Sequence, residues 1–271
     1  MTTLVVFFIC ITPAFAQKHK VNTDSIAMRD SIRDFMYHGT LLSMDALQSK
    51  YESEKTNDME IKQQKYIEMQ NLFYQARINY RKVIKLDSNS YLAWSNMGTS
   101  YFLQELPNEA SVCFKKAVTI NPSYSPAWFN LGKVCVQKSK SDSAELSFGM
   151  AIRGDSSYTQ AYQEWSRLIM EKRKDTASAL KLLRLSAHYK PESEVPWVSM
   201  SEVYFNSKDS LSGIRSLEKA VSVYPGDIDH LEVLVKYYKS HGDQKKSANY
   251  ENLLAIEKKK LEVKKDEHPD E

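Results

Sequence analysis

Histidine, serine and carboxylate side chains are the groups of this chain best suited to acid–base, nucleophilic or metal chemistry. The histidines are scattered, at His19, His38, His188, His230, His241 and His268. No H-E-x-x-H motif places two of them one helical turn apart for a shared metal ion. G-x-S-x-G, Walker and G-x-G-x-x-G sequences are also missing, and the chain has only 8 glycines. We therefore expect no enzyme activity, no metal site and no cofactor.

The carboxylate pairs have a simpler interpretation than catalysis. Asp142 and Glu145, for example, lie where a turn leads into a predicted helix, and carboxylates stabilise the exposed backbone amides at such a position. A serine without a neighbouring base is only a polar side chain. A hydrolase or transferase whose site is assembled from distant residues is kept as an alternative.

Three cysteines occur, at Cys10, Cys113 and Cys135. No C-x-x-C pair is present, which argues against a zinc site and against thioredoxin-like redox chemistry. Cys113 and Cys135 fall in predicted helices, where a free cysteine usually behaves as a small buried hydrophobic residue. We expect both to belong to the core, with a disulfide between them as the alternative.

The charge distribution argues against nucleic acid as a partner. Charged residues make up 26% of the chain and the net charge is +3, whereas a nucleic-acid-binding domain usually presents a basic stripe and a higher isoelectric point. Lysines gather at 258–260 and 264–265, but acidic residues interleave with them. Such a pattern is typical of a solvated helix. We expect a charged, disordered tail at 262–271.

The side chains that recur at fixed spacing are structural ones. Trp94 and Trp128 are 34 residues apart, as are Gly98 and Gly132, and further copies follow. Within each period two apolar stripes at helical spacing alternate with turns, and Pro122, Pro191 and Pro225 end three of the units. A repeat of this length predicts pairs of helices that bury their apolar faces by stacking.

These residues resemble the tetratricopeptide repeat, whose signature is W-x2-L-G-x2-Y, then A-x3-F, then P. The best copy consists of Trp94, Met97, Gly98, Tyr101, Ala110, Phe114, Ala117 and Pro122. The copies that begin at Trp128 and Trp197 also fit, and the copy around Trp165 fits if one extra residue is allowed near Lys172 to Asp175. The resemblance implies an all-α fold, a right-handed superhelical solenoid of helix–turn–helix repeats.

The period and the motif together divide the chain. We expect a signal peptide at 1–16, an N-terminal helical segment or cap at 17–56, and a solenoid of about six repeats at 57–261. The predicted repeats are 57–90, 91–124, 125–158, 159–193, 194–227 and 228–261.

The resemblance also implies where a partner binds. In tetratricopeptide proteins the first helix of each repeat lines a concave groove, and variable positions of that helix contact the ligand. At the fifth, ninth and twelfth positions, the candidate groove residues are Phe102, Phe129, Lys133, Val136, Gln163, Arg167, Met170, Val198, Glu202 and Phe205. The hypothesis is that a peptide lays apolar side chains along this row while Lys133 and Arg167 pair with a carboxylate on it.

Two alternatives to this hypothesis stay open. The apolar row belongs to the core or is covered by the helical segment Asp24 to Ser53, which packs on the end of the solenoid or in its groove. The basic pair is neutralised by Glu164, Glu171 and Glu202 nearby in the sequence.

The N-terminus predicts export. Leu4 to Ile11 is an unbroken apolar run, and Ala14-Phe15-Ala16 is typical of a signal-peptidase site. The run is too short for a membrane-spanning helix, which needs about 20 apolar residues, so we expect no stable membrane span after cleavage. The predicted location is the periplasm or the medium.

Together these observations predict a non-catalytic scaffold or adaptor in the cell envelope that holds a protein or peptide in its groove. The alternatives are a regulatory subunit held permanently on an envelope enzyme or secretion machine, and a cytosolic adaptor.

Overall fold

The structure, a computed structural model, describes residues 23–267, and all regular secondary structure in that range is α-helical. The helices are α1 (Thr23–Lys55), α2 (Met59–Leu86), α3 (Tyr91–Leu103), α4 (Pro107–Ile120), α5 (Ser125–Gln137), α6 (Ser141–Gly154), α7 (Thr159–Arg173), α8 (Thr176–Tyr189), α9 (Val195–Asn206), α10 (Ser210–Val223), α11 (Ile228–Ser240) and α12 (Gln244–Glu267). This confirms the predicted all-α helical-repeat solenoid. The predicted signal peptide lies outside the described residues.

Consecutive helices pack in pairs: α1 with α2, α3 with α4, α7 with α8, α9 with α10, and α11 with α12. The described residues form two compact units, which divide between Ala144 and Glu145 within α6. Each unit has its own buried clusters, centred on Phe114 in the first and on Leu183 and Leu217 in the second.

The Gly–Phe spacing of the motif is explained by a close approach of two helices. A Cβ atom at Gly98 of α3 would lie 2.9 Å from Cε1 of Phe114 in α4, so only glycine lets the ring lie against the backbone. Phe114 is fully buried, together with Ala110 and Ala117 on the same face of α4. The small residues of the motif therefore make room for its large ones.

From α3 onwards, the turn between the two helices of each pair contains a residue in the left-handed conformation. These residues are Glu105 (φ 60°), Ser139 (φ 55°), Lys174 (φ 53°), Lys208 (φ 62°) and Gly242 (φ 74°). In four of the five turns, the amide of the following residue donates to the carbonyl five residues earlier, as in Leu106 N–H to Tyr101 O at 3.0 Å.

The turn after α7 differs because this repeat carries one extra residue, as predicted. Here α7 has 15 residues, whereas α3 and α5 have 13. The Lys174 amide donates to Met170 O at 3.1 Å, a cap with a single hydrogen bond. The extra residue is therefore accommodated by a longer helix.

Replacing Ser139 with glycine is expected to raise the free energy of unfolding by about 0.5–1 kcal/mol, because glycine adopts a positive φ without a Cβ penalty. The converse change, Gly242→Ala, should lower it by about 1 kcal/mol. Urea unfolding followed by circular dichroism measures both. The control is Lys138→Gly, since Lys138 has φ −87° and glycine should destabilise that position. A loss of stability in Ser139→Gly would contradict the role given to φ.

The first predicted repeat, 57–90, does not contain the two helices that a repeat needs. These residues hold one continuous helix, α2, whose partner is α1 from the predicted cap segment. No glycine or proline interrupts residues 59–86, so nothing there ends the helix. A Cβ at Gly39 of α1 would lie 2.7 Å from Cε1 of Tyr80 in α2, a close approach like that of Gly98 and Phe114. The first helix of this repeat therefore lies in α1.

Gly39→Ala is expected to destabilise the protein by about 1–3 kcal/mol, because the added methyl group overlaps the ring of Tyr80, which is fully buried. Thermal unfolding measures the effect. The matched control is Gly149→Ala in α6, where the Cβ would meet Trp165 at an ordinary 3.6 Å. There alanine should stabilise the helix by up to about 1 kcal/mol. Equal effects of the two changes would refute the packing at Gly39.

Two other sequence predictions are corrected at residue level. The tail expected to be disordered from 262 continues helix α12 as far as Glu267, and residues 268–271 lie outside the described part. Cys113 is buried and Cys135 is half-buried, and no disulfide joins the two, contrary to the disulfide alternative. Burial raises the pKa of the Cys113 thiol to about 12, consistent with the expected core position.

Candidate binding groove

A cavity of about 840 Å³ lies in the second compact unit, between α7 and α9. We call it the α7–α9 cavity. Half of the ten predicted groove residues line it, namely Gln163, Arg167, Met170, Glu202 and Phe205. The other lining residues are Glu164, Ser166, Glu171, Lys174, Thr176, Ser199, Val203, Asn206 and Ser207. Within α7 and within α9, the lining residues lie on one face of the helix, because residues three or four apart share a face.

Met170, Val203 and Phe205 form the apolar part of the cavity. Phe205 is 38% exposed, so part of its ring faces the cavity. The rest packs over α10, where a Cβ at Gly213 would lie 2.6 Å from Cε1 of the ring. The absence of a side chain at Gly213 therefore lets the ring of Phe205 lie against the backbone of α10.

Arg167 is neutralised within its own helix. Its Nη2 lies 2.6 Å from Glu164 Oε2, its Nε donates to the same oxygen at 3.1 Å, and its Nη1 donates to Glu171. Burial acts to lower the pKa of the guanidinium, but the two carboxylates outweigh this and raise it. The alternative in which neighbouring glutamates match this cation is thus confirmed for Glu164 and Glu171.

Glu202 is in the opposite situation. In the described part of the chain, no cationic side-chain nitrogen is within 4.0 Å of its carboxylate. The residue as a whole is exposed, but partial desolvation of its carboxyl by neighbouring atoms raises the pKa, and the more distant His230 and Arg167 lower it only in part. Within residues 23–267, the carboxylate therefore faces the cavity without a direct counter-ion.

Ser199, one turn before Glu202 on α9, is 3% exposed. Its Oγ atom has no hydrogen-bond partner among the described residues. Since buried hydroxyls are normally hydrogen-bonded, this one has unused hydrogen-bonding capacity beside the cavity.

The predicted groove residues of the first compact unit have a different arrangement. Lys133 Nζ lies 5.4 Å from the ring centroid of Phe102 and 5.7 Å from that of Phe129. Phe129 is only 6% exposed, so it offers a partner almost no surface, contrary to the prediction. Val136 is half-buried, as is Val198 in the second compact unit, which does not line the α7–α9 cavity.

Three residues that line the cavity lie outside the repeat positions chosen for the groove. They are Glu164 and Ser199, at the sixth position of their repeats, and Glu171, at the thirteenth. The spacing of Glu164 and Glu171, three residues before and four after Arg167, is the known spacing of helical ion pairs. That signal was present in the sequence.

Two classes of site receive no support within residues 23–267. No group of three or more histidine, cysteine or carboxylate side chains is placed to hold a metal ion. None of the helices described there is both long and apolar enough to cross a bilayer.

Comparison with known proteins identifies one repeat directly. The family model of the tetratricopeptide repeat matches residues 91–124, which comprise α3, α4 and the turn that follows. No curated protein matches the sequence significantly. One similar solved structure is that of pilF from Pseudomonas aeruginosa, with a TM-score of 0.58 and 13% identity, covering 90% of this chain and 95% of that one. Another is a crystal structure of MamA, with a TM-score of 0.50 and 18% identity, covering 72% of this chain and 92% of that one. At these identities the similarity shows the fold alone.

Proposed function

We propose that this protein is a non-catalytic scaffold that holds a protein or peptide partner against the first helices of its repeats. Proteins built from tetratricopeptide repeats are generally scaffolds for protein–protein contacts, and residues 91–124 are such a repeat. The observation that carries the proposal is the α7–α9 cavity, where five predicted ligand-contacting side chains converge. Its volume of about 840 Å³ is within the range of small-molecule pockets.

The proposed place of action is the cell envelope. It rests on the apolar run from Leu4 to Ile11 and the A-x-A sequence at Ala14 to Ala16, both outside the described residues. N-terminal sequencing of the mature chain tests it. A start at Gln17 supports export, and an intact Met1 removes it and favours the cytosolic adaptor.

Site-specific photo-crosslinking in the native cell tests the groove. A photoreactive phenylalanine analogue replaces Phe205 or Gln163, and the matched control replaces Leu146 of α6, which is 66% exposed and does not line the cavity. We expect the groove positions to crosslink to a protein that the control position does not reach. Mass spectrometry identifies that protein.

The yield distinguishes the two forms of the proposal. A single partner captured in stoichiometric amount indicates the permanent regulatory subunit, whereas several partners in lower yield indicate an adaptor. If the control position captures the same proteins as strongly as Phe205 does, the groove is not the binding surface.

A further inference from the structure

We propose that the α7–α9 cavity accepts a positively charged side chain of the partner, a lysine or an arginine, with the Glu202 carboxylate as its counter-charge. This inference rests on the proposed binding function and specifies the chemistry of the partner. It reverses the sequence hypothesis, in which a carboxylate on the partner paired with Arg167.

The charges that line the cavity carry the argument. Three carboxylates and two cations face it, the cations being Arg167 and Lys174. Arg167 already lies against Glu164 and Glu171, so a carboxylate from a partner would meet two like charges at the guanidinium. Like charges at such short distances repel. The net charge of the lining is negative, and Glu202 is the carboxylate without a direct partner.

Glu202 also gains most from a cation. Glu202 is an exposed residue of α9 that lines the cavity, so a partner can reach it. The two basic residues that act on it from a distance already have carboxylate neighbours. Arg167 lies against Glu164 and Glu171, and His230 Nδ1 lies 3.3 Å from Asp227 Oδ2. An incoming ammonium or guanidinium group would form a charge-assisted hydrogen bond with this carboxylate. In the complex the carboxylate would then have the direct counter-ion that it lacks among the described residues.

Ser199 provides the second, independent observation. Its Oγ is buried and unpaired within the described residues, and it lies one helical turn from Glu202 on the same face of α9. A hydroxyl oxygen accepts a hydrogen bond from an ammonium or guanidinium N–H. The two groups together form a polar end that matches the several donors of lysine or arginine.

The apolar lining fits the rest of such a side chain. Long basic residues lay their methylene groups along apolar surface while the charge stays at a polar end. Met170 and the exposed part of Phe205 supply that surface beside Glu202. A cation near the Phe205 ring also gains from the negative face of the aromatic system.

The test is selection from a random twelve-residue peptide library displayed on phage, with the purified full-length chain immobilised at low ionic strength. We expect lysine and arginine to be enriched in the selected peptides. A synthetic selected peptide should bind Glu202→Gln about tenfold more weakly than the wild type, because one charge-assisted hydrogen bond is lost. Glu202→Lys should select acidic peptides instead. The matched control is Glu192→Lys, an exposed residue in the turn between α8 and α9, which should keep the basic preference.

The outcomes separate the two proposals. If no peptide is enriched over an uncoated surface, the proposed binding function fails. If peptides are enriched without basic residues, or with acidic ones, the scaffold function stands and the cation site is wrong. Circular dichroism of each variant verifies folding, and Glu202→Gln, which keeps the size and shape of the side chain, decides the question if Glu202→Lys does not fold.

Discussion

Replacing Phe114 with alanine is expected to lower the free energy of unfolding by about 3–5 kcal/mol. Phe114 is fully buried in α4, where it packs with Ala110 and Ala117 of its own helix and with Leu131 of α5. Truncation removes the ring that the close approach at Gly98 accommodates, and leaves a cavity shared by two consecutive repeats. Urea unfolding followed by circular dichroism gives the size of the loss.

The matched control for this change is Val112→Ala, two residues earlier on the same helix. Val112 is 60% exposed, so its truncation should change the free energy of unfolding by less than about 0.5 kcal/mol. Because each repeat contacts mainly its neighbours, the Phe114→Ala loss should appear first in the first compact unit. Equal midpoints for the two variants would mean that Phe114 is not a core residue.

The second large effect is expected at Glu218, which joins the last three helices. Its Oε1 accepts hydrogen bonds from Tyr238 Oη at 2.8 Å, Lys246 Nζ at 2.9 Å and Tyr250 Oη at 3.3 Å. Glu218→Ala leaves two partly buried tyrosine hydroxyl groups without their acceptor, at a cost of roughly 2 kcal/mol. Thermal unfolding measures it. The control is Glu232→Ala, because Glu232 forms an exposed ion pair with Lys258 that should contribute little.

The same network makes stability depend on pH. Burial acts to raise the pKa of the Glu218 carboxyl, but its hydrogen bonds to Lys246 and the tyrosines outweigh burial and lower the pKa below 4.5. The stabilisation is therefore present above pH 4.5 and is lost as pH falls through the lowered pKa. Urea unfolding of the wild type and of Glu218→Gln between about pH 3 and 7 tests this, because that range brackets the usual carboxyl pKa. The difference in free energy of unfolding between the two proteins should be smaller at the acid end.

Tyr250 determines the alkaline pH range in which the Glu218 network loses its contribution to stability. Burial and the neighbouring Glu218 raise the pKa of its hydroxyl from 10.0 to about 12. A raised pKa in the folded state means that the contribution is complete below pH 10 and is lost as pH rises towards 12. Tyr250→Phe should be less sensitive to pH in that window, and an unchanged alkaline transition would contradict the assignment.

The repeat fold was predictable because local signals agree with one another. Pro122 and Pro225 end helices, and the Gly98–Phe114 spacing specifies a close approach within one pair. The extra residue of the repeat at 159–193 was visible as a shift of the motif, and α7 lengthens to accommodate it. Each of these signals lies within about one repeat length.

The first helix pair was not predictable in the same way. The partners Gly39 and Tyr80 are separated by the two long arms of the hairpin, so the motif spacing that identifies other repeats is absent. A search at the fixed period finds the second helix and assigns it the wrong partner. The pairing of α1 with α2 is decided by packing between residues that are farther apart in the sequence than those of one repeat motif.

The position of the candidate site was predictable from the sequence, but the pairing of its charged side chains was not. Repeat positions placed Gln163, Arg167 and Glu202 at one cavity. Whether a charged side chain already has a counter-ion depends on side-chain geometry. Only the structure therefore shows that Arg167 contacts two glutamates and that Glu202 has no direct counter-ion among the described residues. The burial of Phe129 under its neighbours is likewise a packing result, because a helical position by itself does not state how much surface remains.

The α1–α2 hairpin has one more consequence. At 1.5 Å per residue, helices of 33 and 28 residues are about 50 and 42 Å long. Both are more than twice as long as the neighbouring α3, which has 13 residues. Leu103, at the end of α3, packs at the level of Ala46 and Phe73, so the distal turns and Met59, which is 77% exposed, extend past the neighbouring repeat. Backbone amides in those turns can therefore open to solvent by local fraying while the Gly39–Tyr80 crossing stays closed.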